Sequence, residues 1–311
     1  MSASDPAALG SPVPALEVGR YGRGVLLVCL GALFWSLSGV LIRLTEAATS
    51  WQIVFYRALA MSLTLLLILA VRYRGRVDLP LCRGGRDALL AGLAFSSASC
   101  CFILAIGYVT VANALFMSGI APFITALLAR AWLGESVPSR TWYAMLLAAA
   151  GVVVMVRSSL AFDGLFGNVL ALGSAVSFAL VSACLRKGRQ NDMAAAVLWS
   201  GLSSTVCAAA VITATGDGFA ISQRDLALCA FMGTVQLGLG SLCYAYAACH
   251  LAAAPLQLLA LAELVLSPVW VWLVVDEVPT AATLVGGAMI LVATAFQAGA
   301  RMPRPVAPGV G

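Results

Sequence analysis

Gln257-Leu-Leu-Ala-Leu-Ala-Glu263-Leu-Val-Leu-Ser-Pro268-Val-Trp-Val-Trp272 is apolar along almost its whole length and carries one carboxylate at its middle. A helix through such a stretch rises 1.5 Å per residue and can cross a hydrocarbon core of roughly 30 Å. An ionised side chain at that depth is costly, and it faces a protein interior or a water-filled cavity rather than lipid. The stretch therefore predicts a membrane-spanning helix with a path or pocket beside it.

The rest of the chain is built the same way. Of 311 residues, 62% are hydrophobic and only 10% charged, with a mean hydropathy of +0.99. A soluble domain of this length needs far more charge at its surface. The net charge of +5 does not point to nucleic acid. The arginines sit between apolar runs, where they meet lipid headgroups. Nine cysteines are scattered without a C-x-x-C pair and read as small hydrophobes rather than disulfides or metal ligands. His250 is the only histidine, and neither an HExxH motif nor grouped carboxylates accompany it, so metal and hydrolytic sites lack their parts. No phosphate-binding loop for ATP is present. The expectation is a protein that is not an enzyme and needs no cofactor.

Apolar runs between polar breaks predict ten spanning helices, at 24–43, 51–71, 88–106, 111–133, 141–156, 167–185, 194–214, 226–247, 252–275 and 281–299. The first run is long enough to span and follows Arg20 and Arg23, which reads as an uncleaved helix rather than a signal peptide. With the N-terminus inside, fourteen of the 18 positive charges fall on inner segments, including Arg72, Arg74, Arg76, Arg130, Arg186 and Lys187. Only Arg43, Arg157 and Arg224 fall outside, and Arg57 lies within a helix. That bias places both termini in the cytoplasm.

The chain also repeats itself at an offset of about 142 residues, the pattern of carriers built from internal repeats. Gly24-Val-Leu-Leu, Trp35 and Arg43 align with Gly167-Asn-Val-Leu, Phe178 and Arg186. Gly134-Glu135-Ser-Val-Pro138 after the fourth run corresponds to Asp276-Glu277-Val-Pro279 after the ninth. Five helices per copy is an odd number, so the second copy enters from the opposite face. The expected architecture is an all-α membrane protein with ten transmembrane helices in two inverted five-helix repeats. The repeats cover 24–157 and 158–299, with tails at 1–23 and 300–311. Inverted repeats around a midplane site favour a transporter, although a channel or an enzyme can also be built on duplicated helices.

On these elements the chain resembles the drug/metabolite transporter superfamily, in its EamA-like branch of ten-helix carriers. The matching segments are Phe55-Tyr56-Arg57-Ala58; Ala112-Asn-Ala with Ala121-Pro122-Phe123 and Gly134-Glu135; and Leu261-Ala-Glu263 through Pro268, Asp276-Glu277-Val-Pro279 and Gly286-Gly287. The resemblance implies movement of small polar metabolites, such as amino acids and related compounds, with export the commoner direction. It also implies an inner-membrane location. Two departures stand out. Family members often carry Glu-Pro in the ninth helix, whereas Leu264 follows Glu263 here and the proline comes at Pro268. Asp276 replaces the usual glycine before Glu277.

Depth and helical phase nominate the site. Glu263 is expected to line a cavity, where it binds a cationic group of the cargo or gains and loses a proton as the coupling step; a permanently protonated or hydrogen-bonded structural Glu between helices is the alternative. Arg57 is expected to clamp a substrate carboxylate or to pair with Glu263 in one state, against an arginine that snorkels to headgroups. Gln236, with Tyr244 on its face, and Trp35 beside Ser36 and Ser38 supply hydrogen bonds and an aromatic wall, or simply join helices. Asn113 and Gln257 sit nearer helix ends. Pro122 and Pro268 are expected to kink their helices. Glu135 and Glu277 are expected to cap the helix that follows each, with a gating contact as the other reading. The partners are then a small-molecule substrate and the lipid bilayer. A homodimer stays open, and a non-transporting membrane subunit or sensor is the rival function.

Overall fold

The structure, a computed structural model, describes residues 15–76, 78–109, 111–156, 165–276 and 278–299. Among the described residues, ten helices are long and apolar enough to cross a membrane: Gly19–Arg43, Ser50–Arg72, Leu81–Tyr108, Phe116–Leu133, Ser139–Val156, Leu165–Lys187, Ala194–Thr215, Gln223–Ala247, Ala253–Val274 and Ala281–Ala298. No strand occurs among the described residues. Their outer surface is apolar: Leu63, Leu67, Leu146, Leu273 and Val292 each leave more than half their area uncovered, as a helix facing lipid requires. The expectations for Arg157, for Glu277 and for the two tails up to 14 and from 300 lie outside the described residues, as does the side chain of Asn113.

Local chemistry sets the helix ends. Thr49 and Gln52 form a reciprocal capping box at the start of the second span, and Ser222 and Thr280 cap the eighth and tenth. Gly134 ends the fourth span in the left-handed region at φ 65°, and Asp276 ends the ninth in the same conformation at φ 56°.

The inverted repeat is visible in the packing. The third span lies on the sixth and seventh, and the eighth lies on the first and second. The fourth packs on the sixth as the ninth packs on the first, while second and seventh, fourth and ninth, and fifth and tenth pair with each other. Exchanging each span with the one five places along leaves this pattern unchanged, so the halves are related by a two-fold axis in the membrane plane. Single contacts obey the same rule. A Cβ on Gly24 would meet Leu251 at 2.8 Å, and one on Gly167 would meet Val109 at 2.5 Å. Gly92 packs against Trp199, and Gly233, about 142 residues on in the repeat, packs against Arg57.

The first span is interrupted at Leu37, and the fourth and ninth are broken at places matched by the repeat. In the fourth, the helix Val111–Ser118 gives way to Ala121–Leu133, and in the ninth Ala253–Ala260 gives way to Ala262–Val275. Each break is held by the same two tight i→i−3 bonds: Ile120 N–H to Met117 O and Phe123 N–H to Ile120 O, both 3.0 Å, against Leu261 N–H to Leu258 O at 3.1 Å and Leu264 N–H to Leu261 O at 3.0 Å. Pro122 sits at the second residue of its half-helix, where its missing N–H costs nothing. Pro268 lies inside the second half-helix, Ala262–Val275, about one and a half to two turns beyond the interruption at Leu261.

Candidate functional site

A cavity of about 190 Å³ lies between the halves, walled by seven of the ten spans. Trp35, Ser36, Arg57, Phe95, Ser99, Phe178, Gln236, Gln257 and Glu263 all line it. Four residues nominated from separate helices, Glu263, Arg57, Gln236 and Trp35, thus reach one space. The lining runs from Gln257 toward Ile42, Ile103 and Ser267, which approach the arginine-poor face.

Arg57 is buried, with 6% of its surface exposed, so it does not snorkel to the membrane edge. Its backbone is seated by Gly233 of the eighth span, and one guanidinium nitrogen donates to Ser99 Oγ at 2.5 Å. Glu263 opens the second half-helix of the ninth span, immediately after the break at Leu261. The interruption brings the carboxylate near the positive end of a helix at mid-membrane, a place that favours negative charge. Among the described residues, neither Arg57 nor Glu263 forms an ion pair. Holding an arginine or an acid at the centre of a spanning helix costs about 2.5–3.5 kcal/mol. An internal salt bridge would offset part of that cost, and these two side chains do not make one.

The floor is aromatic. Trp35 contacts Tyr244, Phe178 and Phe95 with ring centroids 5.0, 5.6 and 6.0 Å apart. Phe178 stacks on Tyr244 at 5.4 Å. Trp35 Nε1 and Gln236 Oε1 are buried without a hydrogen-bond partner among the described residues, and Gln236 Nε2 donates to Trp35 O at 3.4 Å.

Tyr244 is the nominated residue that does not line the cavity. It is fully buried beneath the floor, where its hydroxyl contacts Ser182 Oγ and Gln257 Oε1, each at 2.7 Å. The eighth span runs as a π-helix over Met232–Leu239, and Gln236, Gly240 and Tyr244 all meet Trp35 along one side of it. Tyr244 thus shares the face of Gln236, as its spacing suggested, but lies one layer deeper than the cavity lining. Gln257 moves the other way: read as a helix-end residue, it forms the deepest part of the lining. Ser99 had no signal of its own in the sequence beyond being a serine in an apolar run.

Below the floor, Glu135 makes a contact that differs from the expected one. Its Oε1 accepts from Arg186 Nε at 2.6 Å, and its Oε2 accepts from the backbone N–H of Ala253 at 3.1 Å. It caps a helix, but the ninth span rather than the fifth that follows it, because the tight αL turn at Gly134 aims it into the bundle. Arg186 also donates to Ala248 O at 3.2 Å.

Comparison with known proteins bears on this arrangement. A model of the EamA-like transporter family matches residues 22–157 and again residues 165–298. The chain is 28% identical over 281 residues to proteins described as pseudopaline exporter CntI in two strains of Pseudomonas aeruginosa, covering 87% of this chain and 94% of each relative. A solved crystal structure superposes with a TM-score of 0.73 over 88% of this chain and 96% of the other, at 17% identity, which speaks to the fold alone.

Proposed function

The chain belongs to the EamA-like transporter family, and on that premise we propose that it exports a small amino-acid-like metabolite by alternating access. It is a multi-pass membrane protein whose relatives are transporters. The cargo is a zwitterion: its carboxylate meets the Arg57 guanidinium and its ammonium group meets Glu263. The observation that carries this reading is the placement of both side chains on one cavity without an ion pair between them. Each has charge left for a ligand. Trp35 Nε1 and Gln236 Oε1 add a donor and an acceptor for the neutral part of the cargo.

The cavity extends toward the arginine-poor face and is closed beneath by the ring cluster, which fits an outward-facing member of a transport cycle. Export agrees with the description of the Pseudomonas relatives. The arginine distribution supports an inner-membrane carrier with both termini cytoplasmic. Energy comes from the proton gradient or from substrate exchange, with Glu263 as the group that gains a proton.

Flux of a radiolabelled metabolite panel into proteoliposomes, with and without a pH gradient, tests the proposal. Zwitterionic amino-acid-like compounds should move, and Glu263→Gln should abolish the response to the gradient. A Glu263→Gln protein that transports normally with its pH dependence intact refutes the coupling role. Absence of flux for every compound would leave the non-transporting subunit as the better account.

A further inference from the structure

The ion pair between Glu135 and Arg186 lies directly beneath the cavity, and we propose that it is the latch closing the cargo path toward the arginine-rich face. The helix Ala253–Ala260 is the element it holds and releases. This assignment rests on the transporter reading and adds to it a gate with named parts.

Three observations converge. First, the floor is thin. Gln257, the deepest lining residue, stands four residues above Ala253, about 6 Å of helix rise. One helical turn therefore separates the cavity from the Glu135 carboxylate.

Second, that carboxylate ties together elements that must separate for the path to open. Its two oxygens hold Arg186 at the end of the sixth span and the first N–H of Ala253–Ala260, while Glu135 itself hangs from the end of the fourth. Arg186 extends the tie to Ala248 between the eighth and ninth spans. The two side chains are 13% and 17% exposed, sheltered enough for the charges to act strongly and open enough to rehydrate when they part.

Third, the held element is a separate short helix. Ala253–Ala260 is bounded by the latch at one end and by the break at Leu261 at the other, and Glu263 begins just beyond that break. Its polar contacts at the floor are neutral hydrogen bonds from Ser182 and Tyr244 to Gln257, each contributing only about 0.5–1.5 kcal/mol net. A cargo or proton arriving at Glu263 thus acts on the same short helix whose other end the latch restrains.

The test reads the path itself. Ser182→Cys places a thiol at the floor position that is now fully buried. A membrane-impermeant maleimide is then applied from the arginine-rich side of oriented vesicles, and labelling is taken as the excess over the parent chain with its nine cysteines. Adding Glu135→Gln should raise the labelling rate about 5-fold or more, Arg186→Gln should do the same, and the double variant should exceed neither single. Either single variant carries the test if the other fails to insert. An unchanged rate in a folded variant overturns the latch, as do single effects that multiply in the double. Labelling needs no cargo, so raised labelling without flux of any compound would sink the transporter reading and keep the latch. Normal flux with unchanged labelling would do the reverse.

Discussion

Gly233→Ala is the sharpest probe of how the second and eighth spans build the site. An added Cβ would lie 2.2 Å from the carbonyl oxygen of Arg57 and 2.9 Å from the amide nitrogen of Met61. Both are backbone atoms and cannot rotate away, so relief to ordinary contact requires the spans to part by about 1 Å. Forcing a methyl group into packing of this kind costs about 1–3 kcal/mol. The gain in helix propensity on replacing glycine by alanine offsets up to about 1 kcal/mol of it. Gly173→Ala supplies the reference, because its Cβ would meet only Cys101 Sγ at 3.9 Å. That variant should gain stability, and the gap between the two should be about 1–3 kcal/mol. Unfolding in detergent micelles measures the gap. Flux assays should show a raised KM for Gly233→Ala alone, since moving the Arg57 backbone pulls its guanidinium from Ser99. Equal stabilities within about 0.5 kcal/mol, near the usual error of additivity, would refute the close approach and the seating of Arg57 that depends on it.

Arg57→Lys keeps the charge but loses the planar fork, and it should weaken a carboxylate-bearing cargo by about 10-fold or more in equilibrium binding; undiminished affinity would remove the clamp. Asp276→Gly should stabilise the protein by about 0.5–1 kcal/mol in thermal unfolding, because an L-residue is held at φ 56° with its side chain exposed. His250, in the link between the eighth and ninth spans, titrates below its ordinary 6.5 because burial and then the charges of Arg20 and Arg23 disfavour its cation. The unfolded chain takes up that proton first, so stability contributed here is complete above pH 6.5 and declines as pH falls. His250→Gln should flatten that decline in unfolding measured across the acid range, and an unaltered profile would dismiss the group.

Reading the helices from sequence succeeded where a property of the chain alone decides the outcome. A bilayer core demands about 20 apolar residues in a row, so the ten spans are legible as runs, and the paired breaks at Gly134 and Asp276 mark the repeat. The polar residues Glu263, Arg57, Gln236 and Trp35 are conspicuous for the same reason: lipid gives them no place. Their shared cavity is a different kind of fact. It depends on depth as well as on helical face: Tyr244 shares with Gln236 the side of the eighth span that meets Trp35, yet it lies beneath the floor. Glu135 is likewise legible as a capping carboxylate, but its partners lie 51 and 118 residues away in sequence.

Sequence by itself therefore determined how many stretches of this chain can cross a membrane and which polar groups had to be sheltered. Those outcomes follow from transfer free energy summed along the chain, which needs no knowledge of neighbours. Only the tertiary structure decided which sheltered groups share a cavity, that Arg57 and Glu263 stand apart within it, and that Glu135 closes on Arg186. Such pairings are set by the rotation and depth of helices packed against one another, which no single helix specifies.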